Sequence, residues 1–116
     1  MIKRSSDMIT EIKEQMRGGK GSVNITHIFK QNEINGKSRM IARITLKPGC
    51  SIGFHEHVNE EEIYYIVKGK ALVDDNGEKH ELNQGDASLT LGGESHSIEN
   101  IGEEDLEFVA VILLYQ

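Results

Sequence analysis

The chain has 116 residues, enough for one hydrophobic core, and its longest apolar run, Phe108 to Tyr115, is far short of the ~18 residues that cross a bilayer, so a single domain without membrane contact is expected. Thirteen Lys and Arg against nineteen Asp and Glu give a net charge of −6, which argues against nucleic acid as a partner. The lone Cys50 can form neither an internal disulfide nor a cysteine-based metal site, and no apolar leader follows Met1, so a cytoplasmic protein is expected.

Between Asp7 and Met16 the apolar residues Met8, Ile9, Ile12 and Met16 follow helical spacing, with Ser6 or Asp7 as N-cap and Gly18-Gly19 as the stop. One short N-terminal helix is predicted. The basic, glycine-rich stretch Arg17 to Ser22 lacks the spacing of a phosphate loop and reads as a flexible connector or helix end. From Val23 the period changes to two: Val23, Ile25, His27 and Phe29 share a face, and after Asn35-Gly36 so do Met40, Ala42, Ile44 and Leu46. Both segments read as strands. Turn signals then bound further strand-length segments at Glu62–Val67, Ala71–Val73, Lys79–Leu82, Ala87–Leu91 and Ser95–Ile98. Asp75-Asn76-Gly77 is a strong hairpin signal, because a type I′ turn needs positive φ at both central residues. The last run, Leu106 to Tyr115, is apolar on both faces from Phe108 onward, as expected of a strand covered on both sides. Short strands in this number, with no crossover helices, predict an all-β sandwich, jelly roll or small barrel.

Three of the five histidines lie in two compact segments. His55 and His57 are two residues apart, so on a strand they project to the same face about 6–7 Å apart. A carboxylate from a neighbouring strand and His96 from a third would complete a site of three imidazoles and one carboxylate, a donor set that suits Mn or Fe at least as well as Zn. Glu60, Glu61 and Glu62 are consecutive, and alternation leaves Glu61 and Glu62 open, since each shares its face with apolar residues.

The spacing Gly49, five residues, His55-x-His57, four residues, Glu62, six residues, Gly69, followed by Gly85, Leu91-x-Gly93, His96 and Asn100, resembles the two signature motifs of the cupin superfamily. Leu91, where the pattern has proline, is the departure. The six-residue interval to Gly69 favours Glu62 over Glu61. The resemblance implies a double-stranded β-helix, or jelly-roll barrel, over residues 23–116, with residues 1–22 packed on it. It implies one divalent transition metal held by His55, His57, Glu62 and His96, with Mn or Fe favoured and Zn or Ni compatible. Such a site implies a metal-dependent enzyme acting on a small carboxylate, enol or sugar-like substrate, or, as the alternative, a non-catalytic metal- or metabolite-binding module. Oxalate decarboxylation itself is not expected, because the family's substrate-binding arginine, three residues before the first ligand histidine, is replaced by Ile52.

His27 and His80 match no motif position and are assigned ordinary structural or solvated roles; Cys50 reads as a small buried residue, and Glu56 as solvent-exposed. Arg43, Thr45 and Tyr64 are candidate pocket-lining groups. The opposite face of the Glu62 strand, with Ile63, Tyr65 and Val67, would form an apolar strip outside the barrel, and a homodimer is expected to cover it.

Overall fold

The computed structural model describes all residues, Met1–Gln116. Ten strands are present: β1 (Ile9–Glu14), β2 (Ser22–Phe29), β3 (Ser38–Leu46), β4 (Ser51–Glu56), β5 (Glu60–Lys68), β6 (Ala71–Asp75), β7 (Glu78–Leu82), β8 (Ala87–Thr90), β9 (Ser95–Asn100) and β10 (Leu106–Leu114). All pairings are antiparallel. They form a six-stranded sheet in the order β1-β2-β3-β10-β5-β8 and a four-stranded sheet in the order β4-β9-β6-β7. The inward-facing residues of the two sheets make one core, in which Val23, Ile25, Ile44, Leu46, Ile66, Leu106 and Phe108 face Ile52, Val73 and Ile98. The alternation read from Val23 to Leu46 is therefore the alternation of core and surface.

The N-terminal segment departs from expectation. Helical structure there is limited to two 3-10 turns, Ser5–Asp7 and Met16–Gly18, and the residues between them form β1 instead of the helix predicted over Asp7–Met16. The physical reason lies in β2. In register with it, Thr10 is hydrogen-bonded to Thr26 at 2.7 Å, Glu14 accepts from the Ser22 hydroxyl at 2.6 Å, and Glu11 meets His27 at 3.1 Å. The apolar residues between the two turns stay largely unburied: Ile9 and Ile12 remain 50% and 64% exposed. Without burial of its apolar stripe a short helix gains little, whereas an edge strand gains a full ladder of backbone bonds.

The predicted hairpin is present between β6 and β7, with Asn76 and Gly77 at φ 54° and 97°. Asn76 also accepts from the Ser95 amide at 2.8 Å, which ties this hairpin to the start of β9. At the other end of β9, buried Asn100 donates to the carbonyls of Leu46 and Glu104 and accepts from the Gly102 amide, each at 2.8 Å. The motif asparagine is thus a three-way fastener between loops. At the Leu91 departure, the turn keeps a bond that proline would forfeit, from the Leu91 amide to the Glu94 carboxylate at 2.8 Å.

On the outer face of the larger sheet, Ile41, Val111, Ile63 and Leu89 stand side by side in register across β3, β10, β5 and β8. Tyr65 and Leu89 on this face are 48% and 49% exposed.

Candidate metal centre

The site lies where the two sheets face each other. His55 is near the end of β4, His57 just beyond it, and His96 is opposite His55 on β9, all on the smaller sheet; Glu62 comes from β5 of the larger one. The register alone brings His55 and His96 together. His57 is pinned past the end of its strand by the turn that carries Gly93: its amide donates to Glu94 O at 3.0 Å and its carbonyl accepts from Gly93 at 2.7 Å. The three imidazole centroids form a near-equilateral triangle with sides of 4.8–4.9 Å.

Each ring is oriented from behind by its Nδ1. His55 donates to the Gly53 carbonyl at 2.7 Å, His57 to the Glu60 carboxylate at 2.6 Å, and His96 is hydrogen-bonded to the buried Thr90 hydroxyl at 2.8 Å. A carbonyl and a carboxylate accept only, so the Nδ1 atoms of His55 and His57 carry the protons and their Nε2 atoms present lone pairs when the rings are neutral. His57 Nε2 lies 3.0 Å from His96 Nε2, and Glu62 Oε1 lies 2.9 and 3.1 Å from these two nitrogens. One donor atom from each of His55, His57, Glu62 and His96 falls within 4.8 Å of the others. Three imidazoles and a carboxylate converging in this way are able to hold one metal ion, which would take the place of the protons that the imidazoles share with Glu62 and with one another.

The electrostatics agree. Burial raises the proton affinity of the Glu62 carboxyl, but hydrogen bonds and positive potential from His57 and His96 outweigh it and hold the pKa at about 2. Burial lowers His55 to about 4, so its imidazole is neutral at neutral pH. His57 is raised, chiefly by its hydrogen bond to Glu62 and against the cost of burial, with Glu60 adding to the effect. The pull on a proton at His57 Nε2 is the pull that any cation at that point would feel.

Behind His57 stands a further pair that the sequence reading missed. Arg39 on β3 donates twice to Glu60, at 2.9 and 2.8 Å, and this ion pair keeps the carboxylate below its ordinary range and aimed at His57 Nδ1. Glu60 was legible only as one of three adjacent glutamates, and Arg39 as an outward-facing strand residue. Tyr64 stacks on His96 at 4.8 Å and 14° and abuts Phe108 edge-on, locking the ring from the core side. Burial and the nearby Glu62 charge raise the Tyr64 pKa, so it is a neutral phenol.

In front of the site opens a cavity of about 370 Å³, lined by His55, His57, Glu62 and Tyr64 on the barrel side and by residues 13–17 on the other. Of the three candidate pocket groups, Tyr64 lines this cavity; Arg43 instead faces Glu107 at 4.0 Å, and Thr45 lines a separate groove with Cys50. His27 and His80 lie beside Glu11 and Glu78, away from the cluster, and Glu56 is exposed, as expected. Cys50 is half-buried against the core.

The sequence profile of the cupin domain matches residues 42–112, more than half of the chain. The chain is a cupin. It is 47% identical, over 98% of its length and 94% of the relative's, to a protein of Thermotoga maritima named oxalate-binding protein. The crystal structure of a predicted oxalate decarboxylase from Thermotoga maritima superposes on this cupin with a TM-score of 0.93 at 47% identity, covering 98% of this chain and 99% of that one. The oxalate decarboxylase of Bacillus subtilis is 28% identical over 84% of this chain, which spans 26% of that protein. A polyketide cyclase from Streptomyces resistomycificus shares the fold, with a TM-score of 0.78 at 20% identity over 100% of this chain and 81% of that one.

Proposed function

We propose that this cupin holds one divalent transition metal through His55, His57, Glu62 and His96, and that a small carboxylate binds beside it in the adjoining cavity. The observation that carries the reading is the convergence of three back-oriented Nε2 atoms and an ionised Glu62 on one point. The mixed nitrogen and oxygen donor set favours Mn or Fe and is compatible with Zn or Ni. When bound, such an ion supplies Lewis acidity that would anchor an anionic oxygen. The residues of the chain do the rest: Glu60 and Arg39 fix the His57 tautomer, Thr90 and Tyr64 fix the His96 ring, and Ile44, Ile52 and Ile112 give the cavity apolar walls. The name of the 47% identical relative supports a small carboxylate as ligand.

One observation favours a catalytic role on the same ligand. Tyr64 lines the cavity as a neutral phenol whose hydroxyl is directed toward Glu62, where it could donate a hydrogen bond to an anion bound beside that carboxylate. Against it, the lining carboxylate outside the metal-binding set, Glu14, is hydrogen-bonded to Ser22, and Glu60 stands behind His57, held by Arg39, so no carboxylate is placed in the cavity as a base. Binding therefore has the stronger support. The apolar row Ile41, Val111, Ile63 and Leu89 supports a homodimer through the outer face of the larger sheet, since a second copy would present the same row to it. The unpaired Cys50 suits a reducing, cytoplasmic setting.

The test is elemental analysis of untagged protein. Close to one transition metal per chain is expected, with loss in His57→Ala; an unchanged metal content in that variant would refute the site. Calorimetric titration of metal-loaded protein with small carboxylates tests the ligand, and a turnover assay on the same compounds separates binding from catalysis.

A further inference from the structure

Three cations line the cavity: Lys13, Arg17 and Arg39. Arg39 is spent on Glu60. Arg17 takes part in none of the ion pairs of the chain, although its charge lies close enough to the buried Tyr64 hydroxyl to act on it. An unpaired guanidinium at the mouth of a cavity that ends in a cation site calls for an anion.

The backbone around Arg17 is strained in order to place it there. Gln15 and Arg17 both adopt the left-handed region, at φ 49° and 56°, which a non-glycine residue keeps only where its surroundings hold it there. The surroundings over-determine this shape. Gly19 and Gly53 let the turn lie directly on β4, so close that a Cβ on Gly53 would run into the Arg17 carbonyl and one on Gly19 into the Ser51 carbonyl. Ser51 donates its amide to Lys20 O at 2.8 Å and accepts from the Lys20 amide at 2.9 Å through its hydroxyl, while Gln15 donates to Gly21 O at 2.9 Å. Met16 packs against the core. The turn carrying Arg17 is therefore clamped to the strand that carries His55: of the flexible connector or helix end read from sequence, the structure has the end of a 3-10 turn, fixed in place. Lys13, on a strand exposed throughout, has no such clamp.

We infer that Arg17 is the specificity-determining residue of the cavity, and that it pairs with the second carboxylate of a small dicarboxylate whose first carboxylate lies at the His55/His57/Glu62/His96 site. This inference rests on the carboxylate-binding reading above. The charge balance supports a dianion. A divalent ion with three neutral imidazoles and one ionised Glu62 leaves a net charge of +1, Arg17 raises it to +2, and the other charges there cancel, Lys13 against Glu14 and Arg39 against Glu60. A planar guanidinium matches a carboxylate in a bidentate fork, which an apolar wall such as Ile52 cannot do. Selectivity for two carboxylates over one would then come from outside the metal shell, from a residue of the N-terminal turn.

The test uses full-length protein loaded with one equivalent of Mn(II), titrated calorimetrically with oxalate, malonate and acetate. Wild type is expected to bind one of the dicarboxylates more tightly than acetate. Arg17→Gln should weaken that dicarboxylate on the order of 10- to 100-fold, with acetate affinity and Mn(II) content unchanged, and Arg17→Lys should recover part of the loss. Thermal melting of both variants checks that the turn still folds; because lysine keeps charge and length, its partial recovery separates a lost ion pair from a disturbed turn. Equal affinity of wild type and Arg17→Gln for the dicarboxylates overturns the role of Arg17 and leaves the carboxylate reading standing. An equal loss for acetate and dicarboxylate also overturns the pairing. Wild-type protein that takes up Mn(II) but binds none of the three anions overturns the carboxylate reading itself, and the inference with it.

Discussion

Truncation of Glu60 to alanine should weaken metal binding without removing any donor. Glu60 receives the His57 Nδ1 proton at 2.6 Å and is itself held ionised by two bonds from Arg39 at 2.9 and 2.8 Å. In Glu60→Ala the buried Nδ1 of His57 loses its acceptor, the ring gains rotational freedom, and the proton is free to sit on Nε2, the atom that must be bare to bind a cation. Partners of this kind are typically worth 10- to 100-fold in metal affinity, about 1.4–2.7 kcal/mol. Glu60→Gln keeps an amide oxygen as acceptor but loses the negative charge, so it should fall between wild type and alanine. The measurement is a competition titration of Mn(II) or Zn(II) against a chelating dye at neutral pH, with circular dichroism to confirm folding. If Glu60→Ala binds metal within twofold of wild type, the orientation of His57 does not depend on the Arg39–Glu60 pair and the tautomer argument fails.

Three further outcomes follow from the same geometry. Asn100→Ala removes three hydrogen bonds of 2.8 Å and takes the side-chain donor from the buried Leu46 carbonyl, so urea unfolding should show a loss of about 2–4 kcal/mol; a loss under 1 kcal/mol would mean that water replaces the side chain at no cost. Gly53→Ala drives a methyl group into the Arg17 carbonyl and should lower the melting temperature, at a cost of about 1–3 kcal/mol; an unchanged melt would show that the turn is not clamped to β4. Chelator-treated protein should be most stable near pH 6.5. His55, at about 4 in the fold, makes the unfolded chain the better proton binder between pH 6.5 and 4, so stability falls on acidification, and Glu62, held at about 2, extends the fall below pH 4.5. His57, raised in the fold, loses its charged pairing with Glu62 and Glu60 as pH rises above 6.5 through its folded pKa, so His57→Ala should flatten the alkaline limb; a wild-type profile that is flat from pH 4 to 8 would refute both assignments.

The barrel and the meeting of His55, His57, Glu62 and His96 were legible because both rest on short-range pattern. Alternation from Val23 to Leu46 and the Asn76-Gly77 turn depend on a residue and its near neighbours, and the donor spacing fixes register as well as identity. What sequence did not yield depends on contacts between segments far apart in the chain. The stretch Ile9–Glu14 has helical spacing, but the availability of a partner edge on β2 and the exposure of Ile9 and Ile12 decide its form. Arg39 and Glu60 are 21 residues apart and meet only because β3 and β5 both flank β10. Arg17 reads as part of a flexible connector or helix end until Gly53, on β4, is seen to accept the close approach of its backbone.

The placement of the four donors also has a mechanical side. Three belong to the smaller sheet and one to the larger, so a cation held by all four would act as a rivet through the sandwich. Peeling one sheet from the other would then require breaking coordination bonds as well as exposing the core. Ligation gained only by the native state adds to stability as RT ln(1 + [M]/Kd), about 4 kcal/mol when free metal exceeds Kd a thousandfold. Occupancy and resistance to unfolding would rise together, making the lifetime of the protein a readout of how well it is supplied with metal.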